Sequence, residues 1–306
     1  MHKDSERDTH PRQWQVYWKH LRVPFQLSLA PLFLWGYFLA APPDARLPHP
    51  LALILGFIAF HFCLYTGITA FNSAYDRDEG PVGGMLKPPP VPKRLLEFSL
   101  LIQCLGALLA CIVGPTFLTL YLLIALLGVA YSHPRLRWKA HPLASVLTVL
   151  IGQGAFGYFA GWAVARGDLI SALNLRGVGG LLSAAFTTLG LYPLTQVYQI
   201  EEDRARGDRT LAVALGPTRP LLVGFGCLTL AGLAAVTVMT RTATLLDAIL
   251  VATAYALILW QVARFARAYS RGLPTVASAF RVAMRLNYLT SLGFLIFIAL
   301  HLAHLL

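Results

Sequence analysis

Asn72, Asp76 and Glu79 fall four and three residues apart in the stretch FNSAYDRDEG (71–80), so on a continuing helix they share a face. Asp78 points away unless the helix has already ended. A second stretch, YQIEEDRARGDRT from Tyr198 to Thr210, sets Gln199, Glu202 and Asp203 on one face in the same way. Half of the 14 acidic residues lie in these two stretches: Asp76, Asp78, Glu79, Glu201, Glu202, Asp203 and Asp208. Carboxylates converging at one surface repel, and a multivalent cation relieves the repulsion. Hard carboxylate oxygens with amide neighbours suit Mg²⁺, which takes a few carboxylates and completes its shell with water and phosphate oxygens. The plainer alternative is a set of solvated loop charges balanced by Arg77, Arg204, Arg206 and Arg209. Both clusters, however, close apolar runs and carry amides within them, and polar residues in such runs usually mark function.

The elements that must position these residues are membrane helices. The chain is 57% hydrophobic and 13% charged, with a mean hydropathy of +0.61. A water-soluble domain is nearer half apolar and a quarter charged. Apolar runs near the ~20 residues needed to cross a bilayer recur along the whole length. Hydropathy predicts nine spans: 23–41, 51–71, 95–113, 117–131, 143–165, 178–198, 221–239, 245–263 and 286–305. The expected fold is therefore an all-α, polytopic bundle, with a basic amphipathic segment over 1–22 and one transmembrane domain over 23–306. The amino-terminal segment is too charged and too long for a cleaved signal peptide, so the first span is expected to be retained. The acidic stretches end the second and sixth spans, and so face the same side. Two parallel halves with facing sites fit that spacing.

The net charge of +11 follows topology rather than nucleic acid. With the amino terminus inside, only Arg46, Arg166, Arg176 and Arg241 of the 25 Lys and Arg residues fall on the outer side. This positive-inside bias predicts a cell-membrane protein whose amino terminus and acidic stretches are cytoplasmic and whose carboxyl terminus is outside. Attraction of anionic membrane lipid or substrate is a second role for the same charge. Cys63, Cys104, Cys111 and Cys227 all lie in apolar spans without CxxC spacing, and read as buried free thiols. His301 and His304 read as interfacial histidines, because no third ligand accompanies them.

Three segments resemble motifs of the UbiA superfamily of intramembrane prenyltransferases. NSAYDRDEG resembles its first motif, Asn-x3-Asp-x3-Asp, through Asn72 and Asp76, with Gly80 at the third position as in the branch that prenylates dihydroxynaphthoate. EEDRARGDRTLAVALG resembles the second motif through Asp203, Arg204, Gly207, Arg209, Thr210, Leu211 and Gly216, but Gln199 replaces its first aspartate. AYSHPRLRWKAHP (130–142) resembles the segment between the fourth and fifth spans, and LKPPP (86–90) stands in the place of the Arg-Pro stretch after motif one.

The resemblance implies a Mg²⁺-dependent enzyme that moves an isoprenyl group from its diphosphate to a lipophilic, aromatic, quinone-precursor-like acceptor. The alternative is a terpene cyclase that uses the same metal site without an acceptor. A transporter fits poorly, since its acids would lie at the midplane. The resemblance further implies that Asp76 and Asp203 bind metal, assisted by Asn72. Asp78 or Glu79 would replace the missing third carboxylate of motif one, and Glu202 would compensate for Gln199. Arg22, Lys87, Arg135, Lys139 and Arg209 are the candidates to neutralise the diphosphate. Tyr131 and Tyr198, at the ends of spans four and six, are the candidates to stabilise an allylic cation by their ring faces.

Overall fold

A computed structural model describes residues 13–302 apart from 43–46 and 273. Within these residues the chain is helical, and its regular pairing outside helices is a single bridge between Val82 and Met85. The inner-side residues Lys3, Arg7 and Arg12, the outer-side Arg46, and His304 lie outside the described residues.

Among the described residues eight helices are long and apolar enough to cross a membrane, or nine if one bent pair is counted as a single span. The pair comprises α1 (Gln13–Leu21) with α2 (Val23–Leu27), joined at 43° to α3 (Ala30–Ala40). Arg22 causes the first break, since it adopts left-handed backbone (φ 50) and Pro24 follows in the first turn of α2. The remaining spans are α4 (Pro50–Asp76), α5 (Leu95–Val113), α6 (Pro115–Ser132), α7 (Pro142–Arg166) and α8 (Leu175–Gln196). Two short helices follow, α9 (Ile200–Ala205) and α10 (Leu211–Leu215), before α11 (Thr218–Thr242), α12 (Leu245–Ser270) and α13 (Val276–Leu302). Prolines open α4, α6 and α7 within their first turn, where a missing N–H costs nothing.

The last span departs from the expectation. It begins at Val276 rather than Leu286, so Arg281 and Arg285 lie on its exposed face and not in a loop. Leucines such as Leu101, Leu108 and Leu126 are exposed on the outer surface of α5 and α6, as a surface facing lipid requires. The core is a continuous apolar cluster joining α3 to α8 and α10 to α13.

Small residues set the closest helix approaches. On α7, Gly161 and Gly154 face the backbone of Phe33 and Ala185, so a Cβ on Gly161 would fall onto the Phe33 carbonyl. The small-residue run GQGAFGYFAG thus serves helix packing. Gly161→Leu is expected to cost about 3 kcal/mol or more through overpacking. Gly226→Leu, whose Cβ meets nothing within 4 Å, is the matched control. Thermal unfolding in detergent checks the pair, and equal midpoints would contradict the packing account.

Both α4 and α7 contain a π-helical stretch, Ile58–Leu64 and Val149–Ala155. Such bulges shift the register of every following side chain. In α7 the bulge carries Val149, Gly152 and Gln153, which line the central cavity.

Candidate functional site

A cavity of about 270 Å³ opens between α2, α3, α4, α6, α7, α8 and α13. Its walls are apolar along Leu29, Leu32, Ile68, Ile124, Leu127, Leu191 and Phe294. One end is charged, lined by Arg22, Asn72, Asp76, Asp78, Lys139, Gln199, Asp203, Arg206 and Asp208. The two acidic stretches therefore meet at one mouth.

The first stretch reaches the cavity because α4 ends there. Asn72 and Asp76 belong to its last turn, and Arg77 closes it in left-handed backbone at φ 52. The expected face shared by Asn72, Asp76 and Glu79 is cut short by this stop. Asp78, freed from the helix, turns into the cavity with its side chain 4% exposed, whereas Glu79 is exposed and outside the lining. Reciprocal hydrogen bonds between Val82 and Met85, at 2.9 and 2.7 Å, pin the loop that follows.

The second stretch is broken too. Helix α8 stops at Gln196, the Gln199 N–H bonds back to the Gln196 carbonyl at 3.0 Å, and α9 restarts at Ile200. Gln199 and Asp203 line the cavity and Glu202 does not. Glu202 instead accepts from the Glu79 N–H at 3.1 Å and from Arg206 at 2.9 Å. One face shared by Gln199, Glu202 and Asp203 needs a continuous helix, and the turn at 197–199 removes it.

Cations thread through the acids. Lys139 holds one oxygen of Asp76. The other lies 3.6 Å from Arg137 and 3.9 Å from Arg206 and has no hydrogen bond. Arg206 donates to Asp78 at 2.8 Å, and buried Arg22 reaches Ser73 at 2.6 Å beside Asp78 at 4.0 Å. Arg137 grips Asp208 through two bonds of 2.8 Å, a bidentate pair that holds the guanidinium proton more tightly. Burial pushes the Asp203 carboxyl from its ordinary 3.8 up to about 6, although the Thr210 hydroxyl donates to it at 3.2 Å.

Of the sequence candidates for diphosphate, Arg22 and Lys139 line the mouth. Lys87, Arg135 and Arg209 are exposed and do not. The backbone N–H of Arg209 instead ties the second stretch to Ala140 at 2.9 Å. Tyr131 lines the cavity with its hydroxyl 3.1 Å from that of Tyr192, whereas Tyr198 is buried against Phe280 outside the lining. Arg137, Arg206, Asp208, Thr210 and Tyr192 stand at or beside the mouth without having been singled out as candidate ligands. For Asp208 and Arg206 the available signal was membership of the second acidic stretch itself. For Arg137, Arg135 two residues earlier offered the same charge.

Among the described residues no three His, Cys, Asp or Glu side chains close around a single point. Mg²⁺ does not require such a cage, since it commonly binds through one or two carboxylates plus waters and phosphates. Asp76, Asp78 and Asp203 share the mouth with Asn72 and Gln199, and a buried oxygen of Asp76 has no hydrogen-bond partner. This donor set fits a hydrated Mg²⁺ shared with phosphate oxygens.

The model of the UbiA prenyltransferase family matches residues 29–289. A chloroplastic 2-acylphloroglucinol 4-prenyltransferase of Humulus lupulus is 30% identical over 195 residues, covering 60% of this chain and 46% of that protein. The protoheme IX farnesyltransferase of Aeropyrum pernix is 26% identical over 176 residues, covering 55% of this chain and 53% of that protein. The chain thus spans about half the length of these relatives. A UbiA homolog from Archaeoglobus fulgidus bound to GPP and Mg²⁺ shares the fold. Its TM-score is 0.65 at 18% identity, over 91% of this chain and 99% of that one.

Proposed function

Because the chain belongs to the UbiA prenyltransferase family, we propose that it is a Mg²⁺-dependent intramembrane prenyltransferase. It moves an isoprenyl group from a prenyl diphosphate to a lipophilic aromatic acceptor. The observation that carries this reading is one cavity with a charged mouth of paired acids and cations and an apolar interior. A prenyl diphosphate has the same division. Names of similar proteins, a prenyltransferase and a farnesyltransferase, support it, as does the neighbour bound to GPP and Mg²⁺.

On this reading Asp76 and Asp203 would hold the metal, with Asn72, Asp78 and Gln199 as the further oxygen donors at the mouth. Mg²⁺, when bound, withdraws charge from the leaving diphosphate and so eases C–O cleavage. Arg22, Lys139 and Arg206 are the cations that neutralise the diphosphate as it departs. The allylic cation forms among apolar walls that keep water from it. Tyr131 and Tyr192, which line the cavity, are the aromatic rings available to attract it, worth about 1–2 kcal/mol when desolvated. The acceptor carbon then bonds to C1 of the prenyl group and loses its proton. The bias of Lys and Arg to one side of the spans supports a cytoplasmic mouth in a cell membrane.

Membranes carrying the protein, incubated with labelled dimethylallyl, geranyl, farnesyl and geranylgeranyl diphosphates and Mg²⁺, test this directly. The expected result is labelled lipid that appears only with an added aromatic acceptor and disappears with EDTA. Labelled hydrocarbon formed without any acceptor would overturn the transferase in favour of a cyclase.

A further inference from the structure

We infer that Gly80 and Glu202 form a matched pair that fixes the gap between the two acidic loops, which makes Glu202 a positioning residue rather than a metal ligand. The inference rests on the proposed reading only for its consequence in catalysis. Its structural part stands alone.

Glu202 is engaged from three sides. One oxygen accepts from the Glu79 N–H at 3.1 Å and from Arg206 at 2.9 Å. The same Arg206 nitrogen donates to Asp78 at 2.8 Å, so a single guanidinium ties both loops together. The other carboxylate oxygen lies where a Cβ on Gly80 would stand. Gly80 is not among the residues with positive φ, so its backbone does not demand glycine. Space demands it: the side chain missing from the first loop is the room that a carboxylate of the second loop fills.

The consequence reaches the mouth of the cavity. Asp78 comes from a loop outside any helix, and a loop holds an acid in place only if something braces it. The strut from Glu202 to the Glu79 backbone sits one residue from Asp78 on one side and one from Gly80 on the other. Through it the backbone at Glu79 is tied to the second stretch, and with it the loop that carries Asp78. Glu202 can do this without entering the cavity lining.

Because the obstructing atom ends a flexible side chain, Gly80→Ala displaces the strut without blocking folding. The test is a cycle of Gly80→Ala, Glu202→Ala and the double variant, read first by amide hydrogen exchange over 77–85 in metal-free protein. Each single variant is expected to lower protection about tenfold, the scale of one lost charge-assisted hydrogen bond, and the double variant no further. Glu202→Gln keeps the acceptor for the Glu79 N–H but loses charge toward Arg206, so it is expected to fall between. It also replaces Glu202→Ala in the cycle should that variant not fold. In turnover, the same variants are expected to raise the Mg²⁺ concentration for half-maximal rate severalfold while kcat recovers at saturating Mg²⁺. Independent, multiplying effects at 80 and 202, or unchanged protection in Gly80→Ala, would overturn the pairing. The exchange result decides this even if no prenyl diphosphate is turned over. Loss of kcat that excess Mg²⁺ cannot restore would return Glu202 to the chemistry itself.

Discussion

Asp76→Asn and Asp203→Asn are each expected to lower kcat/KM by roughly a thousandfold or more, about 4 kcal/mol of barrier, while leaving folded protein. Both residues line the charged mouth, one from each acidic stretch. In each variant an amide replaces a carboxylate of the same shape, so packing survives and one negative charge is lost. For Asp76 the loss leaves buried Lys139 without its partner and the mouth more positive by one charge. The cation that the mouth should hold is then repelled as well as unligated. Asp203 has a further feature: burial already disfavours its charge, so a cation is what makes that charge tolerable. EDTA treatment of the unaltered protein should match either variant. Rate assays beside thermal unfolding curves check this, and full activity in either variant would remove the metal from the account.

The second large effect is expected at Lys139. Its ammonium is 9% exposed on the side chain and is bound to Asp76 at the mouth. On the proposed reading, a metal bound at Asp76 would leave that ammonium to pair with the diphosphate. Lys139→Met should therefore raise KM for the prenyl diphosphate by about a hundredfold, near 2.7 kcal/mol, in the range of charge-assisted hydrogen bonds. Arg135→Gln, altering an exposed residue outside the cavity lining, should change it less than twofold. Steady-state kinetics across a range of diphosphate concentrations separates the two. Similar losses at 135 and 139 would mean that diffuse basic charge, not a placed ammonium, holds the diphosphate.

The bundle was legible because hydropathy is a property of composition over a window, and lipid imposes it on every span. The acidic stretches were legible because carboxylates at the ends of apolar runs have no cheap explanation. Helix ends were less so. Whether Asp78 or Glu79 faces the cavity turns on where α4 stops, and the stop is a single left-handed residue, Arg77, with no glycine to announce it. Helix α8 likewise halts at Gln196 in the middle of an apolar run. The start of α13 was misplaced by ten residues because arginines on one face lower the mean hydropathy of an amphipathic turn without ending it. The partner of Asp208 was hidden for a related reason. The chain turns sharply there, with Arg137 at φ 43, and only the turn decides which guanidinium meets Asp208.

The central claim is that the two acidic stretches jointly hold a metal that in turn holds a prenyl diphosphate. Equilibrium binding of labelled geranyl diphosphate to the purified protein, measured with Mg²⁺ and with EDTA, tests it most directly. The account predicts saturable binding with Mg²⁺ that is lost with EDTA and lost equally in Asp76→Asn and Asp203→Asn. Binding of undiminished strength in EDTA, or in either variant, would contradict it.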